Sequence, residues 1–323
     1  MVLWGRTGRR GAGAVLTAGL AAALAGCGGT EPEERAQAGA GERTRTVEHA
    51  LGETEVAGTP ERVVVLDTGE LDAALALGVT PVGAVRTDVS DALPTYIEDA
   101  GVDAADIADV GTIAEPDLEA IAALEPDLVL SNAVRHTDLY EQLSGIAPTV
   151  FAEAVGESWQ ENLLLAGEAL GRADRARELL DEHAARAEEV GALFGDPADT
   201  EVSVVRFLDG SPIRLYGEGS FIGSVLADVG FARPELQRTA ETFVEVSPEE
   251  VTRADGDLLV HAAYGDAGAA AAAQVTAGPL WGSVPAVQAG RAFEVSDDRW
   301  FLALGPIGAD LVLDDLEELA GRL

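Results

Sequence analysis

The chain has 323 residues, 47% of them hydrophobic, which is enough to bury two cores of ordinary size. It carries 57 acidic residues against 21 basic residues, all of them arginine, and its formal net charge is −36. This charge argues against nucleic acid or an anionic membrane surface as a partner, and its simplest interpretation is that it keeps the protein soluble.

The first 26 residues have the features of an export signal. Three arginines within the first ten residues precede an apolar run over 11–25, which is too short for a permanent membrane span. The run ends in Leu24-Ala25-Gly26-Cys27, which resembles a bacterial lipobox, and Cys27 is the only cysteine. We predict a lipoprotein signal peptide over 1–26, lipidation of Cys27 and anchoring on the extracytoplasmic face of the bacterial cell membrane. The alternative is an ordinary secretory signal with an unrelated cysteine.

The rest of the chain divides into a tether and two similar halves. Residues 27–44 are polar and glycine-rich, which predicts a flexible tether, and residues 46–57 resemble a small hairpin. We predict an N-terminal α/β lobe over 45–157, a connecting helix over 158–195 and a C-terminal α/β lobe over 196–323. The predicted strands lie at 62–67, 81–85, 107–110, 127–130, 149–151, 202–207, 213–216, 258–261 and 292–295.

The connecting helix is predicted from apolar residues three and four apart, such as Trp159 and Leu163, with charged residues on its other face. Gly167 and Gly171 are expected to kink it or divide it in two. In the flanking halves strands alternate with helices, which predicts mainly parallel sheets covered by helices. The predicted fold class is therefore α/β, with two Rossmann-like lobes joined by a long rigid helix.

Several segments resemble the bacterial iron–siderophore and cobalamin binding proteins of ABC importers. The first begins Glu61-Arg-Val-Val-Val-Leu-Asp67, and the similar segments, in order, are 61–84, 116–130, 146–150, 279–291 and 300–316. The resemblance implies a class III periplasmic-binding-protein-like fold, in which a rigid helix joins two lobes that move little and the ligand lies between them. It also implies an extracytoplasmic lipoprotein that captures a ferric siderophore for an ABC transporter permease. The alternatives are cobalamin or haem as ligand and, in a different class, a lipoprotein enzyme acting on envelope substrates.

Arginines follow the predicted strands at the edge where open α/β sheets bind ligands. Guanidinium groups suit the negative charge of ferric siderophores, and neighbouring aromatic rings suit a chelate with ring ligands. Each arginine alone is also typical of a surface ion pair. The predicted ligand-binding residues are Arg86, Arg135, Arg214, Tyr216, Arg299 and Trp300.

A glycine-rich turn over residues 217–223 is expected to present backbone amides to the cleft, where they would favour an anion. The four histidines have no metal-ligand spacing, and no nucleophile motif of a hydrolase is present. We therefore predict no metal site, no cofactor and no enzymatic activity.

Glu119 and Glu249 occupy equivalent positions in a degenerate two-fold repeat, because each lies eight residues before the Asp that begins a buried strand. The resemblance implies that each pairs with arginines of the permease. The alternative is a favourable negative charge at a helix N-terminus. Next to Glu249, Ser247 and Glu250 have the spacing of a capping box.

Overall fold

The computed structural model describes residues 44–99, 101, 105, 107–210 and 212–323. The predicted signal peptide, the lipidation site Cys27 and the predicted tether up to residue 43 lie outside this part of the chain. The described residues begin with an antiparallel hairpin of β1 (Thr44–His49) and β2 (Gly52–Ala57). No helix in these residues is both long enough and apolar enough to cross a membrane.

The first sheet contains five parallel strands, β3 (Val63–Val65), β4 (Gly83–Arg86), β5 (Ala108–Thr112), β6 (Leu128–Asn132) and β7 (Thr149–Ala152). Their order in the sheet is β5-β4-β3-β6-β7. Val63 and Val65 pack into one core and Val64 into another, so β3 is buried on both faces, as is usual in a parallel sheet. The helices of this half are α1 (Thr68–Ala76), α2 (Tyr96–Asp99), α3 (Leu118–Ala123), α4 (Ala133–His136) and α5 (Tyr140–Ser144).

Two helices, α6 (Trp159–Ala169) and α7 (Ala173–Ala192), form the connection that the sequence predicts as one long helix. Gly171 lies between them with φ +69°, a left-handed conformation that favours glycine, which confirms that a glycine divides the segment. Arg45 of β1 lies against Gly171 and donates from Nε to the carbonyl oxygen of Glu168 at 3.2 Å. The hairpin is thereby fixed to the point where the two helices meet.

The second sheet contains β8 (Val202–Phe207), β9 (Ile213–Tyr216), β10 (Phe243–Val246), β11 (Leu258–Ala263) and β12 (Ala292–Glu294), in the order β10-β9-β8-β11-β12. β8, β11 and β12 are parallel, whereas β9 runs antiparallel to β8 and to β10. β10 has no counterpart among the predicted strands. The helices are α8 (Phe221–Val229), α9 (Gly265–Thr276), α10 (Pro285–Gln288) and α11 (Pro306–Ala320), and a π-helical turn, Asp298–Leu302, precedes α11. The predicted α/β class is confirmed.

One hydrophobic core extends through both halves and the helices between them. It includes Val65 of β3, Leu163 of α6, Val190 of α7, Val204 of β8 and Leu313 of α11. Each sheet also packs against a separate smaller core on its other face. The two sheets are therefore packed against a shared apolar interior.

Asp72 of α1 caps a helix that belongs to the other half. Its Oδ1 accepts from the Ile307 amide at 2.9 Å and its Oδ2 from the Gly308 amide at 3.0 Å, both in the first turn of α11. The side chain is completely buried. Burial raises the pKa of Asp72 to about 7, although the two amide hydrogen bonds act in the opposite direction. The contact joins the halves through a buried carboxyl group.

This placement predicts a pH-dependent stability. The pKa of Asp72 rises from about 3.9 in the unfolded chain to about 7 in the fold. The folded state therefore binds more protons, and stability that is present below pH 4 is lost as the pH rises through 7. We expect the free energy of unfolding to fall between pH 4.5 and 7.5. Asp72→Asn should reduce this fall, and the contribution of Asp72 that it removes is at most about 4 kcal/mol.

Urea unfolding at the two pH values measures this effect. Asp181→Asn, at an exposed position of α7, is the control for removing one negative charge. If Asp72→Asn and the control have the same pH dependence as the wild-type protein, Asp72 does not titrate in this range.

Candidate functional site

Residues that follow strands of both sheets contact one another at the boundary between the two halves, which is here called the cleft. Thr87, directly after β4, lies beside the side chain of Tyr264, directly after β11. Thr95 donates from its amide at 2.8 Å and from its hydroxyl at 2.7 Å to Asp298 Oδ2, beyond the end of β12. Ligands of open α/β sheets lie at this edge, so the cleft is the candidate site.

The cleft contains a buried cation, Arg206, near the end of β8. Its Nε and Nη2 donate to the two carboxylate oxygens of Asp297 at 2.7 and 2.6 Å, and its Nη1 donates to the Tyr216 hydroxyl at 3.1 Å. The ring centroids of Tyr264 and Phe301 lie 4.6 and 4.9 Å from its Cζ, within cation–π distance. Arg206 is only 7% exposed.

Electrostatics keep this guanidinium charged. Burial lowers the pKa of Arg206, but the hydrogen bonds to Asp297 and Tyr216 and the charge of Asp297 raise it overall above the usual value. A planar cation with little surrounding water attracts anionic oxygens more strongly than a solvated one. Arg206 is absent from the predicted site residues. The sequence does contain a signal for it, since it is the only charged residue in the buried strand Val202–Phe207.

Arg86 is the last residue of β4 and directly precedes Thr87, which contacts Tyr264. Its Nε donates to Asp109 Oδ2 at 3.1 Å and its Nη1 to the carbonyl oxygen of Ser90 at 3.1 Å. It lines an open cavity of about 310 Å³, whose apolar walls include Leu93, Pro94 and Ile97. The hydrogen-bond partners of Arg86 and the lining of this cavity all belong to the first half, so the structure does not place Arg86 beside Arg206.

Arg135 belongs to a network at the ends of β3 and β6. Asp67 is 1% exposed and accepts from Arg135 Nε at 3.2 Å and from Asn132 Nδ2 at 3.1 Å. Burial, followed by the charge of Asp67, raises the pKa of the neighbouring Glu70. The Arg135 side chain is 45% exposed, so part of its guanidinium remains accessible.

Of the two residues predicted on β9, Tyr216 belongs to the Arg206 network and Arg214 does not. The Tyr216 ring packs edge-on against Phe301, with centroids 4.6 Å apart. Arg214 pairs with Glu245 Oε1 at 3.3 Å and stacks on Phe243, 4.0 Å from the ring centroid. The β10 strand, absent from the prediction, supplies both of these partners.

Trp300 and Arg299 are both held by α11. Trp300 is completely buried and its Nε1 donates to Asp315 Oδ2 at 2.8 Å, while Arg299 Nη1 donates to Asp315 Oδ1 at 2.9 Å. Arg299 lines a separate cavity of about 180 Å³. The prediction that Trp300 contacts the ligand is corrected, because the π-helical turn directs its ring into the core. Tyr264 and Phe301 supply the aromatic surface beside Arg206 instead.

The first three amides of the glycine-rich turn are already bonded within the fold. Gly217 donates to the carbonyl oxygen of Thr242 at 2.9 Å, and Glu218 and Gly219 donate to that of Thr239 at 2.9 and 3.3 Å. A Cβ at Gly219 would lie 1.9 Å from the Ala240 carbonyl oxygen. Glycine is therefore needed at this position for close backbone packing, and the expected anion-binding role of the turn stays a prediction for its remaining amides.

Glu119 and Glu249 both lie exposed in a first helical turn, Glu119 in α3 and Glu249 in a 3₁₀ helix over Pro248–Ala254. Neither carboxylate has an ion-pair partner among the residues that the structure describes. Ser247 and Glu250 form the predicted capping box, which leaves Glu249 without a capping role.

The chain is similar to known binding proteins over most of its length. Residues 63–298 match the family described as periplasmic binding protein. The probable siderophore-binding lipoprotein YfiY of Bacillus subtilis is 38% identical over 91% of this chain and 93% of its own length. The Fe(3+)-citrate-binding protein YfmC of the same organism is 29% identical over 86% of both chains.

A solved structure has the same architecture. Staphylococcus aureus SirA complexed with staphyloferrin B matches with a TM-score of 0.76 and 29% identity, over 86% of this chain and 99% of SirA. The predicted class III fold is thus confirmed. With the family match covering 63–298 and the 38% identical relative spanning nearly the whole sequence, the chain belongs to the periplasmic binding protein family.

Proposed function

We propose that this protein binds a ferric siderophore in the cleft between its two lobes, 45–157 and 196–323, and delivers it to an ABC importer. The observation that carries the proposal is Arg206, a buried cation beside two aromatic rings where strands of both sheets end. The names of the similar proteins, which include siderophore and Fe(3+)-citrate binders, support the same ligand class.

The residues of the cleft suit an anionic chelate. Arginine presents a rigid set of donors that matches carboxylate geometry, and aromatic rings add contact area for the organic part of the ligand. We assign ligand contact to Arg86, Arg135, Arg206, Tyr216 and Tyr264. We assign none to Arg214, Arg299 or Trp300, because their side chains pair with Glu245 or Asp315 or lie in the core.

A binding titration tests this function. The purified lipoprotein is titrated with ferric siderophores of the carboxylate, catecholate and hydroxamate classes, followed by tryptophan fluorescence, with cobalamin and haem as competing candidates. We expect tight binding of an anionic ferric chelate that weakens as salt rises, because screening shortens the range of the arginine charges. Binding of cobalamin or haem alone, or of none of the panel, would reject the proposal.

We further propose that Glu119 and Glu249 contact the permease, one from each lobe. An exposed ion pair contributes only about 0–1 kcal/mol, so a single substitution should have little effect. We expect Glu119→Ala with Glu249→Ala to leave siderophore binding and folding intact and to reduce cellular uptake of the ferric chelate several-fold.

Uptake of radioactive iron at matched protein abundance measures this effect. The control is Glu188→Ala with Glu189→Ala, two exposed acids on α7 that remove the same charge elsewhere. If the Glu119 and Glu249 double variant takes up iron at the wild-type rate, or if the control is equally impaired, the permease contact is rejected. Both residues then act only as favourable charges at helix N-termini.

A further inference from the structure

The segment Thr87–Thr95, here called the strap, leaves β4 in the first lobe and touches the second lobe at three places. Thr87 lies beside the Tyr264 side chain, and Thr95 donates two hydrogen bonds to Asp298. Between them, Val89 lies beside the backbone of Gly265. A Cβ atom added to Gly265 would lie 3.5 Å from the Cβ atom of Val89. The strap therefore spans the cleft on the side where the strands end.

Both ends of the strap are fixed to the first lobe. Arg86, before the strap, donates to the carbonyl oxygen of Ser90 within it. Tyr96, after the strap, is completely buried and its hydroxyl donates to the carbonyl oxygen of Thr68 at 3.3 Å. Within the strap, Asp88 Oδ1 also accepts from the Ala114 amide of the first lobe at 3.4 Å. Release of the strap from the second lobe requires the two hydrogen bonds from Thr95 to Asp298 to break.

Tyr264 connects the strap to the buried cation. Its ring lies on the Arg206 guanidinium, and its side chain lies beside Thr87. The edges of the guanidinium are occupied by Asp297 and the Tyr216 hydroxyl, and a second ring, that of Phe301, lies nearby. An anion from solvent has no open approach to a group that is 7% exposed, so a neighbouring residue must move first.

We propose that the strap is a gate, which admits an anion to Arg206 when Thr95 leaves Asp298 and Thr87 releases the Tyr264 ring. The inference rests on the proposed function for the nature of the anion, but the accessibility of Arg206 can be measured without a siderophore. The gate makes binding depend on the opening of the strap as well as on the charge of the cleft.

Phenylglyoxal, which modifies accessible guanidinium groups, is a direct probe of the gate. The full-length lipoprotein is treated with the reagent, and modification of each arginine is followed by peptide mass spectrometry. Asp298→Ala removes the acceptor for Thr95, and Tyr264→Phe removes the hydroxyl beside Thr87 but keeps the ring. The matched control is Tyr140→Phe, whose hydroxyl lies near His49 in the first lobe.

We expect Arg206 to react slowly in the wild-type protein and the control, and at least about tenfold faster in Asp298→Ala, because this substitution removes both charge-assisted hydrogen bonds from Thr95. Tyr264→Phe should accelerate it several-fold. Arg233, which is 4% exposed in the same lobe, should stay unmodified throughout. An unchanged rate at Arg206, or equal acceleration at Arg206 and Arg233, would overturn the gate. Faster modification of Arg206 alone, in a protein that binds no siderophore, would support the gate and reject the proposed function.

Discussion

Replacing Arg206 and Asp297 together by glutamine and asparagine should weaken binding of an anionic ferric siderophore about 10- to 100-fold. A hydrogen bond to a charged group contributes about 1.5–3 kcal/mol, and about 1.4 kcal/mol corresponds to tenfold in affinity. The double substitution removes the cation without leaving Asp297 as an unpaired charge in a site where it is only 11% exposed. Fluorescence titration gives the dissociation constants.

Two further variants sharpen this test. Arg238→Gln removes an arginine that pairs with Glu201 at the surface, and it should leave affinity within about threefold, as expected for an exposed ion pair. Arg214→Gln removes an arginine directly opposite Arg206 in the strand register. If Arg214→Gln abolishes binding and the Arg206 and Asp297 pair is dispensable, the ligand lies on the β9–β10 side and the assigned cleft is wrong.

Cys27→Ala should abolish lipidation and with it membrane attachment. The substitution removes the only thiol in the chain, so no other residue can carry the thioether-linked lipid. Acyl chains contribute about 0.8 kcal/mol for each buried CH₂ group, far more than a polar tether gains at a membrane surface. Labelling with a fatty acid, followed by separation of membrane and soluble fractions, measures both effects.

Thr30→Ala, in the predicted tether, is the matched control and should stay labelled and membrane-bound. A Cys27→Ala protein that still incorporates fatty acid and sediments with membranes would contradict the anchor. Membrane retention without label would indicate an uncleaved signal peptide rather than a lipid.

Sequence patterns predicted the parts of the fold that depend on local chemistry. Apolar runs such as Val63–Val65 identified buried strands, and Gly171 identified the division between α6 and α7, because burial and left-handed backbone each restrict the residue type. β10 was missed because its pairing with β9 is decided by tertiary context rather than by a strong alternating pattern.

The site was less predictable because its chemistry joins distant residues. Arg206 is paired with Asp297, 91 positions away, and nothing local to either residue indicates the pair. Trp300 was expected beside the ligand because it follows an arginine on a loop, but the direction of its ring depends on the π-helical turn. Loop position predicts Arg86 and Arg135 as ligand contacts, but the direction of a side chain on a loop is set by tertiary packing that the sequence does not show.

The apolar interior shared by the lobes has a consequence for dissecting this protein. A fragment ending after α7 would expose the surface that α11 and β8 cover, and it would leave Asp72 without its two amide donors. A fragment beginning at β8 would lose the cap of its last helix. Each piece would therefore be a poor autonomous folding unit, and heat or denaturant should melt the intact chain in one transition rather than lobe by lobe.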